Sequence, residues 1–174
     1  MMAARPPNAV LRTRQLIPPL TARTPAGQIV RVWDFKQKKN LVIALLDAGC
    51  SRDVNFAERL MTRASQIAEQ ESAALVVFSS APPASLPAAS PAEIIVATDM
   101  TGRAARAYLG EDAFGPAGQQ RSGVFVADCY GELYAQWVVA GNVPLPGVDE
   151  ILSWLGQIEV ACEGCGVPSW LAGE

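Results

Sequence analysis

The sequence predicts an α/β fold in which a central mixed β-sheet is flanked by helices. Two short, unbroken apolar runs at residues 41–46 and 73–78 are typical of strands buried on both faces of a sheet. Between them, apolar residues recur at three- and four-residue steps over 51–70, which predicts one amphipathic helix with Ser51 as its cap. Strand, helix and strand in this order form the unit that builds parallel sheets.

Further segments complete this alternation. They are a strand at 28–33, a strand at 93–97, a short helix at 101–109, two strands at 123–127 and 132–139, and a closing helix at 147–160. The turn between the last two strands has Asp128 first and Gly131 last, a pattern that favours a hairpin. The sheet is therefore expected to contain both parallel and antiparallel strands.

Length and composition indicate one domain with a core of its own. The chain has 174 residues, of which 50% are hydrophobic and 18% are charged, a globular composition. We expect an N-terminal arm at 1–15, the domain at 16–160 and a C-terminal tail at 161–174. A proline-rich stretch at 79–92 predicts a surface loop.

Charge and hydropathy narrow the classes of partner. The net charge is −3, and the basic residues are scattered, so a nucleic-acid partner is not expected. No apolar run has the length of a signal peptide core or a membrane span, which predicts a cytoplasmic protein without a membrane partner. The chain contains no histidine, so any catalysis must use thiols, carboxylates, lysine, arginine or tyrosine.

Three stretches resemble one known family. IPPLTARTPAGQIVRVWDFKQKKNLVIALL is similar to its opening hairpin and central strand, ATDMTGRAARAYLG to its helix ending in Tyr and Gly, and GVFVADCYGELYAQWV to its later hairpin. Together they cover residues 16–160 in the order of the thioredoxin-like superfamily. The chain thus resembles the alkyl hydroperoxide reductase/thiol-specific antioxidant family, the peroxiredoxin-like redoxins. The resemblance implies a thioredoxin-like fold.

The same resemblance marks Cys50 as the reactive thiol. It follows the predicted central strand and precedes the helix, where thioredoxin-like enzymes keep their attacking cysteine. A helix N-terminus presents N–H groups without partners and a partial positive charge, which favour the reactive thiolate form. Arg52 would add to this effect if its guanidinium turned toward the sulfur.

Several positions depart from the family pattern. Asp53 stands where a dithiol motif needs its second cysteine, while Ile43 and Asp47 replace the proline and the hydroxyl residue that precede the peroxiredoxin cysteine. Ser122 or Gly123 stands where thioredoxins have a proline. Nearby carboxylates would oppose thiolate formation. The guanidinium that peroxiredoxins supply from a neighbouring strand corresponds to Arg121, one residue out of step.

The other cysteines leave alternatives open. Cys162 and Cys165 form the only CxxC, which fits a dithiol that resolves an oxidised Cys50, half of a zinc site shared by two chains, or a pair of idle thiols. Cys129 lies in the predicted hairpin turn and is expected to be exposed and without function.

Two functions follow from these residues. The first is a peroxiredoxin-like thiol oxidoreductase in which Cys50 reacts with a small peroxide or a protein disulfide and Cys162 or Cys165 resolves the product. It needs no cofactor, its thiol reductant is unknown, and it could act as a homodimer. The alternative is a thioredoxin-like binding or assembly module that has lost its active site, bridged as a dimer by zinc at Cys162 and Cys165.

Overall fold

A seven-stranded mixed sheet forms the centre of the computed structural model, which describes residues 9–87 and 89–161. The strands are β1 (Thr21–Arg23), β2 (Ile29–Arg31), β3 (Asn40–Leu46), β4 (Ser72–Phe78), β5 (Ile94–Thr98), β6 (Ser122–Ala127) and β7 (Leu133–Val139). The helices are α1 (Ser51–Thr62), α2 (Ala64–Glu69), α3 (Arg103–Leu109) and α4 (Val148–Ala161). The strand order is β2-β1-β5-β4-β3-β6-β7, so the predicted α/β class is confirmed.

Strand β3 lies where the parallel and antiparallel parts of the sheet meet. It pairs in parallel with β4 and antiparallel with β6, and all seven of its residues are buried. Its alternate side chains enter two cores. Val42 and Leu46 pack with α1, α2 and α4, whereas Ile43 and Leu45 pack with α3 and the N-terminal segment. Burial of each such side chain stabilises the fold by about 1.5–3 kcal/mol.

The single helix predicted over 51–70 is wrong, because the chain breaks it at Arg63. That residue has φ −109° and ψ 17°, and its N–H bonds to the carbonyl of Leu60, so α1 ends and α2 begins there. Ala64 and Ile67 still face the sheet, which preserves the apolar spacing across the break. Sequence periodicity therefore could not reveal it.

The predicted strand at 28–33 is shorter than expected. Only Ile29–Arg31 is extended, and Val32–Phe35 forms a 3₁₀ turn. The carboxylate of Asp34 accepts the Arg31 N–H at 2.8 Å, a local bond that competes with strand geometry.

The described part of the predicted arm lies against the last strand of the sheet. The Arg14 N–H donates to the carbonyl of Leu133 at 2.6 Å, and the side-chain amide of Gln136 donates to the carbonyl of Leu11 at 2.7 Å. These bonds join residues more than a hundred positions apart in sequence. No helix in the described ranges is both long enough and apolar enough to cross a membrane.

Candidate functional site

Cys50 occupies the position at which β3 passes into α1. It is the N-cap residue, with an extended backbone (φ −105°, ψ 118°), and its carbonyl accepts the N–H groups of Asp53 and Val54 at 3.1 Å each. The predicted cap, Ser51, is instead the first helical residue and is exposed, so that prediction is wrong. Cys50 itself is half-buried and is not part of a disulfide.

The first amides of α1 are open next to this thiol. Within residues 9–87 and 89–161, the N–H groups of Ser51 and Arg52 have no hydrogen-bond acceptor, and the Cys50 side chain makes no capping bond. The first N–H groups of a helix carry a partial positive charge that stabilises a nearby anion. Cys50 therefore directly precedes two helix amides that no acceptor among the described residues uses.

Asp53 lies in the first turn of α1, is completely buried, and accepts hydrogen bonds at both carboxylate oxygens. Its Oδ1 accepts the Arg52 Nε–H at 2.9 Å, and its Oδ2 accepts both the Asp47 N–H at 2.8 Å and the Ser122 hydroxyl. The Ser122 hydroxyl accepts Arg52 Nη2–H at 2.9 Å in turn. We call Arg52, Asp53 and Ser122 with their bonds the Asp53 network. It joins α1 to the first residue of β6.

The Arg52 guanidinium bonds to groups other than Cys50. Its Nη1 donates to the carbonyls of Gly141 at 2.6 Å and Val143 at 2.7 Å, and its Nε to Asp53. Arg52 was expected to favour the thiolate only if its guanidinium turned toward the sulfur, and in the described residues its bonds go to a buried carboxylate, a hydroxyl and two carbonyls instead. Arg52 instead fastens the loop after β7 to the helix that begins at Cys50.

Asp47 shapes the turn that leads to the thiol. Its Oδ1 accepts the Gly49 N–H at 2.9 Å, and its main-chain carbonyl accepts the Cys50 N–H at 3.1 Å. Its Oδ2 lies 3.4 Å from the N–H of Gln120, on the loop before β6. The carboxylate that replaces the family's hydroxyl thus orders the backbone around Cys50.

Arg121 is held by another carboxylate. Two of its guanidinium nitrogens bond the two oxygens of Asp112 at 2.8 and 2.6 Å. Among the described residues it makes no hydrogen bond to Cys50. The correspondence with the peroxiredoxin guanidinium therefore receives no support from the side-chain geometry.

Cys129 is buried, so its predicted exposure is wrong. The cysteine is 7% exposed, its N–H donates to the side chain of Asn40 at 3.0 Å, and its carbonyl accepts the Gln37 N–H at 2.6 Å. Burial raises the pKa of its thiol, and the charge of Asp128 adds to the rise. The turn packs against the segment before β3, and the local turn pattern does not predict this contact.

Cys162 and Cys165 lie outside the described residues, so their predicted roles remain predictions. Within the described ranges, no group of three or more cysteine, aspartate or glutamate side chains could hold a metal ion.

Known folds resemble this one closely. The mitochondrial 2-Cys peroxiredoxin from Plasmodium falciparum superposes with a TM-score of 0.66 at 13% identity, over 90% of this chain and 99% of that one. Mycobacterium tuberculosis AhpC gives 0.68 at 15% identity, over 90% and 97%. The chain has a thioredoxin-like, peroxiredoxin-like fold.

A further comparison agrees with this fold. A mutant of the Peroxiredoxin 6 of Arenicola marina gives a TM-score of 0.71 at 12% identity, over 88% of this chain and 76% of that one. No family model and no curated protein sequence matches the chain. Sequence identities of 12–15% with these proteins therefore establish a shared fold and not a shared activity.

The Asp53 network was missed by reasoning from the sequence. The sequence identifies Asp53 as the loss of a second cysteine and as a carboxylate opposing thiolate formation, and Ser122 or Gly123 as the loss of a proline. A signal was present, since an acidic residue on the buried face of an amphipathic helix requires a partner. The partner on β6 comes 69 residues later, and only the fold brings it there.

Proposed function

We propose that this protein is a thiol-dependent oxidoreductase in which Cys50 is the attacking residue. The observation that carries the proposal is the half-buried thiol at the N-cap of α1, beside the open amides of Ser51 and Arg52. Thiolate is the nucleophilic form of cysteine, and open helix amides stabilise it. The likeness of the fold to peroxiredoxins supports the same assignment.

The reaction proceeds in three steps. The Cys50 thiolate attacks one oxygen of a hydroperoxide, the O–O bond breaks, and the departing alkoxide takes a proton from solvent, leaving a sulfenic acid at Cys50. The thiol of Cys162 or Cys165, from the same chain or a second copy, attacks this sulfur; a disulfide forms and water leaves. A reductant with two thiols returns both cysteines to thiols. With a disulfide substrate, the Cys50 thiolate attacks one sulfur, the S–S bond of the substrate breaks, the other sulfur leaves as a thiolate, and a mixed disulfide at Cys50 results.

These steps fit a cytoplasmic protein, where cellular thiols supply the reductant and no bound cofactor is needed. Small peroxides and protein disulfides are the substrate classes. If the resolving thiol comes from a second copy, the working unit is a homodimer.

Intact-mass spectrometry after one equivalent of hydrogen peroxide tests this function. We expect the chain to gain one oxygen or lose two hydrogens, and Cys50→Ser to abolish both changes. The control is Cys129→Ala, which removes a buried thiol and should leave oxidation unchanged. In the double variant Cys162→Ser/Cys165→Ser, the sulfenic acid should accumulate and react with dimedone. Equal oxidation of Cys50→Ser and the unmodified chain would refute the proposal.

The Asp53 network favours a second candidate function. A fully buried carboxylate stands where a dithiol motif has its second thiol, and a buried serine stands at or next to the position of the proline in thioredoxins, which is consistent with a scaffold retained without its chemistry. This candidate is a thioredoxin-like binding or assembly module, with zinc held between two chains by Cys162 and Cys165. It predicts slow alkylation of Cys50 at neutral pH and zinc in the purified protein. Rapid labelling without zinc would exclude it.

A further inference from the structure

An open cleft lies at the edge of the sheet formed by β1 and β2. It encloses about 760 Å³ between the segment 18–25, the carboxyl end of β5 and helix α3. We call it the edge cleft. None of its lining residues belongs to the Asp53 network or to the turn that carries Cys50. Its volume falls within the range of about 300–1,000 Å³ that small-molecule sites occupy.

The walls of the edge cleft are apolar and include large side chains left in solvent. Met100, two residues after β5, is 75% exposed, and Ile29 on β2 is 46% exposed. Further apolar lining comes from Pro19, Pro25 and Ala107. Apolar side chains gathered in one concave surface mark sites that bury a ligand's hydrocarbon.

Positive charge in the edge cleft lacks a compensating partner. Arg23 and Arg103 line it, and neither forms an ion pair with any carboxylate of the described residues. Asp99 also lines the cleft, but it is 8% exposed and its oxygens accept the N–H groups of Thr101 and Ala104. Its carboxylate therefore holds the start of α3.

We propose that the edge cleft binds a small anionic amphiphile, such as a medium-chain carboxylate. The guanidinium groups of Arg23 and Arg103 attract the carboxylate, and the aliphatic chain covers Ile29 and Met100. Apolar walls alone would accept any hydrocarbon, whereas the two arginines select a negative head group. Binding at this site does not require Cys50 to react, so the binding experiment tests it independently of the proposed function.

Titration of the ¹⁵N-labelled full chain with sodium octanoate, followed by amide chemical shifts, tests this site. Saturable shifts are expected at Leu20, Met100 and Ala107. 1-Octanol, which has the same chain without the charge, should bind at least about five-fold more weakly. Affinity should rise about two- to four-fold for each methylene from hexanoate to decanoate, since each buried CH₂ adds to the transfer free energy.

Variants separate the head-group contact from general hydrophobic binding. Arg23→Gln and Arg103→Gln should each weaken octanoate binding by up to about five-fold, the range of an exposed ion pair. Ala107→Phe, at an exposed position of α3, should narrow the cleft and weaken every chain length. The matched control is Arg59→Gln on α1, which should change nothing. The proposal is overturned if shifts do not saturate, if 1-octanol binds as tightly as octanoate, or if both arginine variants bind like the control.

Discussion

Replacement of Asp53 by alanine should destabilise the protein more than removal of any other acidic side chain that forms an ion pair in the described structure. The carboxylate is completely buried and accepts hydrogen bonds from Arg52, Ser122 and the Asp47 N–H. Alanine leaves the Arg52 Nε–H, the Ser122 hydroxyl and the Asp47 N–H without this acceptor. It also leaves the guanidinium of Arg52, whose side chain is only 20% exposed, without its counter-charge.

The magnitude follows from what is left behind. Removing one partner of a buried ion pair costs about 3–5 kcal/mol, because the remaining charge stays desolvated. Arg52 keeps two bonds to the carbonyls of Gly141 and Val143 and has some contact with solvent, which favours the lower end. We therefore expect a loss of about 3 kcal/mol in the free energy of unfolding. With a urea slope of about 2 kcal/mol/M, the midpoint should fall by roughly 1.5 M.

Urea unfolding followed by circular dichroism measures this loss against a matched control. Asp112→Ala breaks the two-bond pair with Arg121, but Asp112 is 70% exposed, and exposed pairs contribute less than about 1 kcal/mol. Ser122→Ala keeps the ion pair and removes one bridging hydroxyl, so about 1–2 kcal/mol is expected. If Asp53→Ala costs no more than Asp112→Ala, the buried network does not stabilise the fold as described.

Further perturbations test other parts of the structure. Gly123→Ala should strongly lower the free energy of unfolding measured in urea, because a Cβ there would lie 2.5 Å from Leu109 Cδ2 and 2.8 Å from Phe125 Cε2. Gly118→Ala is the comparison, since a Cβ there meets open space but the residue has a φ of +80°. It should lower the free energy of unfolding only by the strain of a left-handed backbone, about 1 kcal/mol. Burial raises the pKa of Tyr108, so the folded state keeps a proton that the unfolded state loses, and stability should fall as pH rises above 10.0. Tyr108→Phe should remove that alkaline slope and, below it, cost about 1 kcal/mol through the lost 2.7 Å bond to the Pro18 carbonyl; an unchanged slope would contradict the assignment. A thiol reagent should modify half-buried Cys50 before buried Cys129, as peptide mapping can show, and the reverse order would contradict the burial of the turn.

The sequence was sufficient for the elements whose signals are local and redundant. The apolar runs of β3 and β4 and the spacing of α1 identify a strand, helix and strand without tertiary information. Buried strands in the interior of a sheet tolerate few polar residues, so their composition is itself a signal. The same reasoning located Cys50 at the junction of β3 and α1, although it chose Ser51 as the cap.

The parts of the site that the sequence did not predict depend on contacts between residues distant in sequence. Ser122 reaches Asp53 only because β6 lies beside β3, and Cys129 is buried only because the segment before β3 covers its turn. Neither contact has a local pattern. The break at Arg63 is hidden for another reason, since the apolar face of the helix continues across it.

The Asp53 network determines which groups could stabilise a thiolate at Cys50. Because Arg52 is paired with the buried carboxylate of Asp53, the proposed function relies on the backbone amides of Ser51 and Arg52 and not on a side-chain cation. Backbone amides are retained when side chains change, so this proposed activation does not depend on the proline, the hydroxyl and the second cysteine that the chain lacks. The substitutions by which this chain departs from the peroxiredoxin and thioredoxin patterns therefore concern the binding and resolution of a substrate, and not the backbone amides that we propose to activate the thiol. For that reason, the reactivity of Cys50 and the recognition of a peroxide need to be measured separately.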